Sequence, residues 1–151
     1  MHGKMRLSFA FGLLVILMTL VAPLTQPASA AGCSGIGCNR KDPGTTGCSI
    51  GSSVLQSTSF IYRSGKSTPF NGVIELKYSP TCKTKWAKVT LTKSAQIQLG
   101  LKDKAGNMIR DSWYMTANQS AYGQMWYAPT QSVKACVYVG YDNQQFCTAL
   151  G

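Results

Sequence analysis

Histidine is nearly missing from this sequence: of 151 residues only His2 is one, and it stands in an N-terminal stretch with the marks of a removable signal. Without that stretch the chain has no imidazole, which excludes Ser-His-Asp and Cys-His nucleophile arrangements, histidine-ligated zinc and any imidazole acid–base pair. Carboxylates are scarce as well. The five are Asp42, Glu75, Asp103, Asp111 and Asp142, and glycosidase chemistry needs two of them at a controlled separation. Asp103 and Asp142 stand among turn formers and Asp42 precedes Pro43 in a turn-like Lys-Asp-Pro-Gly, places where Asp caps the backbone. Glu75 and Asp111 fall in strand-like segments, where each reads as a surface residue or a partner for lysine. A calcium site at Asp103, Asn107 and Asp111 is too poor in charge. Also absent are a 3.6-residue apolar stripe and an internal repeat. The expectation is a non-enzymatic protein with no cofactor and no metal.

Residues 1–30 read as a secretory signal peptide. Lys4 and Arg6 form the positive start, residues 9–22 an apolar stretch too short for a comfortable membrane span, and Ala28-Ser29-Ala30 the small-residue cleavage site. The polar, proline-containing residues 23–27 fit cleavage better than retention as an anchor. Acylation at Cys33 is disfavoured, since a polar stretch separates it from the apolar run and its use would leave an odd number of cysteines. Cleavage takes away His2, Lys4 and Arg6 and no acidic residue, so the formal charge falls from +10 to +8. Residues 31–151 then form a single secreted domain, extracellular or associated with the cell wall, with no membrane span left. That length buries a modest core, to which cross-links would add.

The six cysteines are Cys33, Cys38, Cys48, Cys82, Cys136 and Cys147, an even number that favours three disulfides in an exported chain. Cys136 and Cys147 flank a hairpin whose loop is Gly140-Tyr141-Asp142-Asn143. If Val139 faces Gln144, antiparallel pairing sets Cys136 opposite Cys147, within cross-strand reach. The other four leave more than one pairing open. The preferred assignment is Cys33 with Cys38 and Cys48 with Cys82, the latter tying the Gly-rich N-terminal region to the sheet for about 3 to 4 kcal/mol in the chain-entropy view. A metal reading of Cys33, Cys38 and Cys48 lacks a second close pair or a histidine to complete a tetrahedral set.

Residues 32–51 are rich in Gly, Ser and Thr, hold three cysteines and show no periodicity, which predicts a disulfide-pinned loop region. Strand signals follow at 55–62, 72–79, 86–92, 95–101, 108–115, 124–127, 133–141 and 144–150, with a polar loop at 116–122. The clearest is Ala95, Ile97, Leu99 and Leu101 alternating with Gln96, Gln98 and Gly100. About eight short strands with regular turn signals predict an all-β fold, an antiparallel β-sandwich or small barrel stabilised by disulfides.

The basic residues gather in one part of the sequence. Lys77, Lys83, Lys85, Lys88, Lys93, Lys102, Lys104 and Arg110 are opposed within their stretch only by Asp103, and Trp86 stands among them. Such a set can form a positive face for an anionic cell-wall polymer or polysaccharide, with no specific nucleic acid expected. The competing reading is a solvated face whose lysines keep edge strands from pairing. Trp113, Tyr114, Tyr122, Trp126 and Tyr127 cluster later in the chain. They read chiefly as core, although neither adjacent pair can point inward together on a regular strand. An alternative function is a secreted inhibitor or toxin-like effector that binds another protein through loops 65–71 and 116–122.

Cys33-Ser-Gly-Ile-Gly-Cys38, Lys41-Asp42-Pro43, Gly47-Cys48, Glu75-Leu76-Lys77-Tyr78-Ser79, Cys82 and Trp86-Ala87-Lys88-Val89 together resemble the YjfA-like family of small exported bacterial proteins, a domain of unknown function. The likeness covers most of residues 33–91 and leaves out the Cys136 and Cys147 hairpin. Lys88 stands where that family is associated with arginine, which keeps the charge. The resemblance implies an exported Gram-positive or actinobacterial protein and brings no catalytic residue with it.

Overall fold

The computed structural model describes residues 31–63, 68–111, 115–117, 119–140, 142 and 144–151. The expected signal segment, Trp113 and Tyr114 lie outside these residues. The described chain is all-β: ten strands in two antiparallel sheets, with one short 3-10 turn, Gly35–Cys38, and no α-helix among the described residues.

The first sheet begins with the meander β1 (Ser53–Tyr62), β2 (Phe70–Ser79) and β3 (Thr84–Leu91). Alternation decides the faces. On β2 the residues Phe70, Gly72, Ile74 and Leu76 are buried while Asn71, Val73, Glu75 and Lys77 turn outward. The chain then crosses to the second sheet as β4 (Ala95–Lys102), β5 (Met108–Asp111) and β6 (Met115–Ala117), the last two pairing with opposite ends of β4. It returns to the first sheet as β7 (Ser120–Tyr122) and β8 (Trp126–Tyr127), both on the free edge of β3. The second sheet closes with β9 (Lys134–Val139) and β10 (Gln144–Cys147), in the order β10-β9-β4-β5.

The core lies between the sheets. Phe60, Ile74, Leu76, Ala87, Val89 and Leu91 from the first meet Ile97, Leu99, Leu101, Ala135, Val137 and Val139 from the second. Burial of each large aliphatic side chain contributes about 1.5 to 3 kcal/mol. The ring of Phe146 on β10 stacks on Phe60 of β1 at 4.3 Å between centroids, joining the sheets along one side.

The expected strands are present in order. Of the stretch 108–115, expected as one strand, Met108–Asp111 pairs with β4 as β5 and Met115 begins β6 on the same neighbour, while residues 112–114 lie outside the described residues. In the expected polar loop 116–122, Ser120–Tyr122 instead pairs with β3 as Thr90↔Ser120, Val89↔Ala121 and Lys88↔Tyr122. A three-residue strand with two exposed side chains needs only backbone partners, so it leaves no alternating apolar signal.

A second, smaller cluster covers the outer face of the first sheet at its disulfide end. Residues 31–51 lie there over Trp86, which is fully buried with Cys38, Cys48, Cys82 and Met125. Main-chain hydrogen bonds anchor this cap: Gly35 N–H to Cys82, Arg40 N–H to Met125 and Met125 N–H to Lys41, each 3.0 Å.

Candidate functional site

All six cysteines are paired, as Cys33–Cys38, Cys48–Cys82 and Cys136–Cys147. The last follows from register: Gln144 faces Val139, and Cys147 therefore faces Cys136. The first two bridges pack against each other. Cys48 Sγ stands 3.6 Å from Cys33 Sγ and 3.9 Å from Cys38 Sγ, and the four sulfurs of Cys33, Cys38, Cys48 and Cys82 all lie within 4.8 Å of one another. The assignment preferred from the sequence, Cys33 with Cys38 and Cys48 with Cys82, is the one observed. That the two bridges lie against each other is decided by the folding of the cap onto the turn between β2 and β3, which no local pattern shows.

The basic residues do not share one face. Lys77 and Lys88 are partly buried on the outer face of the first sheet, and Lys88 Nζ pairs with Glu75 at 3.2 Å. Lys83 and Lys93 are exposed in the turns at opposite ends of β3, and Lys104 is exposed in the turn after β4. Lys102 lies on the outer face of the second sheet, its Nζ bonded to Gln145 at 3.2 Å and 5.5 Å from the centre of the Tyr138 ring. Of Arg110 only the backbone pairing with Leu101 is described.

Two members leave the expected face altogether. Trp86 is fully buried because the cap covers it. Lys85 shares the parity of Ala87 and Val89 and so enters the space between the sheets, where 5% of its surface is accessible. Its Nζ donates to the main-chain oxygens of Gln131 at 2.7 Å and Gly151 at 2.9 Å. Burial lowers its pKa from the ordinary lysine value.

The four carboxylates whose side chains are described already serve the fold. Asp42 accepts from the N–H groups of Gly44 and Thr45, Glu75 pairs with Lys88, and Asp142 accepts from the Tyr62 hydroxyl at 3.0 Å. Asp103 accepts from the side chain and main-chain N–H of Asn107 at 3.0 and 2.8 Å, bonds that lower its pKa below the ordinary carboxylate value.

One place combines cation, aromatic and concavity. Lys104, Trp126, Gln131 and Ser132, with Asp103 and Ile109, line an open groove of about 590 Å³. Trp126 and Tyr127 on β8 divide as adjacent strand residues must: Trp126 packs toward the main core, and Tyr127 N–H donates to the Asn39 side chain beneath the cap. Gln131 and Ser132 were not singled out in the sequence. They join the site because the β8–β9 connection passes beside the β4–β5 turn, which no sequence signal connects to it. A second open groove of about 580 Å³ lies at the opposite end of the first sheet, lined by Ser59, Ile61, Asn71, Val73 and Thr90 among others, without a cation. Of the loops considered for protein binding, residues 64–67 and 118 lie outside the described residues. No helix among the described residues is long and apolar enough to cross a membrane.

Comparison with curated proteins and with solved structures finds no match. A family model described as "Protein of unknown function (DUF2690)" matches residues 36–136, from the cap through the core strands to the first cysteine of the final hairpin. With two thirds of its length so matched, the chain belongs to the DUF2690 family of proteins of unknown function.

Proposed function

We propose that this protein is an exported, non-enzymatic β-domain that holds an anionic polymer of the cell envelope, with the groove at Lys104 and Trp126 as its seat. The observation that carries this reading is that groove, where an exposed ammonium group stands beside an indole and polar side chains in a concave surface. An acidic polysaccharide offers charge to Lys104, sugar faces to Trp126 and hydroxyl groups to Gln131 and Ser132. The remaining cations, spread over turns and both outer faces, supply long-range attraction to a polyanion without a second specific site. The non-enzymatic part is supported by the four described carboxylates, each engaged in a turn, an ion pair or a hydrogen bond. Export is supported by the three disulfides and by the signal-like N-terminal sequence. The finer likeness to YjfA-like proteins belongs to the same reading.

Co-sedimentation with purified cell wall tests it. Retention is expected to fall steeply between about 20 and about 300 mM salt, as counterion release requires. Lys104→Glu should weaken retention more than Lys93→Glu, which lies outside the groove. Equal retention at both salt concentrations, or equal loss in the two variants, overturns the proposal.

A further inference from the structure

The four sulfurs under the cap, paired as two bridges, lie within 4.8 Å of one another, close enough to surround one metal ion once both bridges are opened. A tetrahedral zinc ion with Zn–S bonds of about 2.3 Å sets its sulfurs about 3.8 Å apart. The distances between the two bridges, 3.6 Å from Cys33 to Cys48 and 3.9 Å from Cys38 to Cys48, already stand near that edge length. Main-chain bonds from Gly35 to Cys82 and from Arg40 to Met125 hold the segments that carry the sulfurs. Cys38, Cys48 and Cys82 are fully buried, and Cys33 is the partly accessible member through which reagents and ions can enter. A separate observation points the same way. Trp86 Nε1 is buried in this cluster without a hydrogen-bond partner, and a metal-bound thiolate is a far better acceptor for an N–H group than a disulfide sulfur.

We propose that Cys33, Cys38, Cys48 and Cys82 form a redox-gated site: two disulfides when oxidised, and a tetrathiolate centre for zinc or a similar thiophilic divalent cation when reduced. The chemistry balances with a dithiol reductant. Two dithiol molecules each deliver two electrons and two protons to one bridge, become disulfides themselves and leave four cysteine thiols. Binding of one divalent ion then releases the four thiol protons to solvent and forms four metal–sulfur bonds. Cys136 and Cys147, on the far sheet, take no part.

The test uses the purified protein, reduced with a phosphine under anaerobic conditions and given cobalt(II) or zinc. Cobalt is expected to show the thiolate charge-transfer and d–d bands of a tetrahedral sulfur site. Zinc should shield Cys33, Cys38, Cys48 and Cys82 from alkylation, as located by mass spectrometry, while Cys136 and Cys147 react at once. A Cys136→Ser/Cys147→Ser variant should keep the cobalt spectrum and Cys48→Ser should lose it. Alkylation of all six cysteines at one rate in the presence of zinc overturns the proposal, whether or not the reduced chain stays folded. A cobalt spectrum that survives Cys48→Ser does so too.

Discussion

Lys85 reaches between the two sheets and donates from Nζ to the main-chain oxygen of Gln131 at 2.7 Å. A cation set in the interior by strand parity thereby ties β3 to the connection ahead of β9, with Gly151 as second acceptor. Lys85→Met keeps the apolar stem and removes the donor, leaving the Gln131 oxygen without its partner. Loss of about 2 kcal/mol is expected by urea unfolding, against little change for Lys83→Met in the exposed turn.

The same burial predicts a pH dependence. The folded-state pKa of Lys85 lies below the ordinary 10.5, so in that window the unfolded chain binds the proton and the folded chain does not. Stability relative to Lys85→Met should therefore rise as pH climbs through the folded pKa toward 10.5, and the burial penalty is fully present below it. Carbon NMR of the lysine Cε should show Lys85 titrating below 10.5; a midpoint at or above that value contradicts the account.

Asp103 follows the same slope, stability rising with pH, but its lowered pKa reflects a stabilised charge rather than a penalised one. Its folded pKa is lowered from 3.8, first by the Asn107 side chain and then by main-chain N–H groups of the β4–β5 turn. Its contribution is present above 3.8 and disappears as pH falls through the folded value. Carboxyl NMR should place its midpoint below 3.8, and Asn107→Ala should move that midpoint upward.

Phe60 and Gly72 face each other across β1 and β2, and a Cβ on Gly72 would stand 2.3 Å from Phe60 Cζ. Gly72→Ala is expected to cost about 1 to 3 kcal/mol through overpacking. In thermal denaturation, Phe60→Leu/Gly72→Ala should cost less than the two single changes combined, because the smaller side chain removes the clash.

The Cys136–Cys147 bridge closes a short loop within a register already set by β9 and β10. Replacing both cysteines by alanine should lower stability by about 3 kcal/mol in the chain-entropy view and leave the fold intact by circular dichroism. A thiol count on the unreduced parent protein should find none free.

How far the sequence reached depended on how local the governing physics is. Alternation along residues 95–101 placed Ile97, Leu99 and Leu101 in the core, because strand geometry turns successive side chains to opposite faces. The hairpin sum rule gave Cys136–Cys147 for the same reason, period-two alternation with regular turn signals gave the all-β class, and composition gave the excess of cations and the shortage of groups for acid–base catalysis. What only the tertiary structure decided is which distant segments meet. Lys85 looked like one of a row of surface lysines, and Trp86 like an aromatic among them. The partner sheet buried the first and the N-terminal cap the second, since a strand's two faces are equivalent until something packs on them. Lys104 met Trp126, and the Cys33–Cys38 bridge came to lie against Cys48–Cys82, through contacts between segments far apart in the chain. Such contacts are set by sheet stacking and leave no mark on the spacing of neighbouring residues.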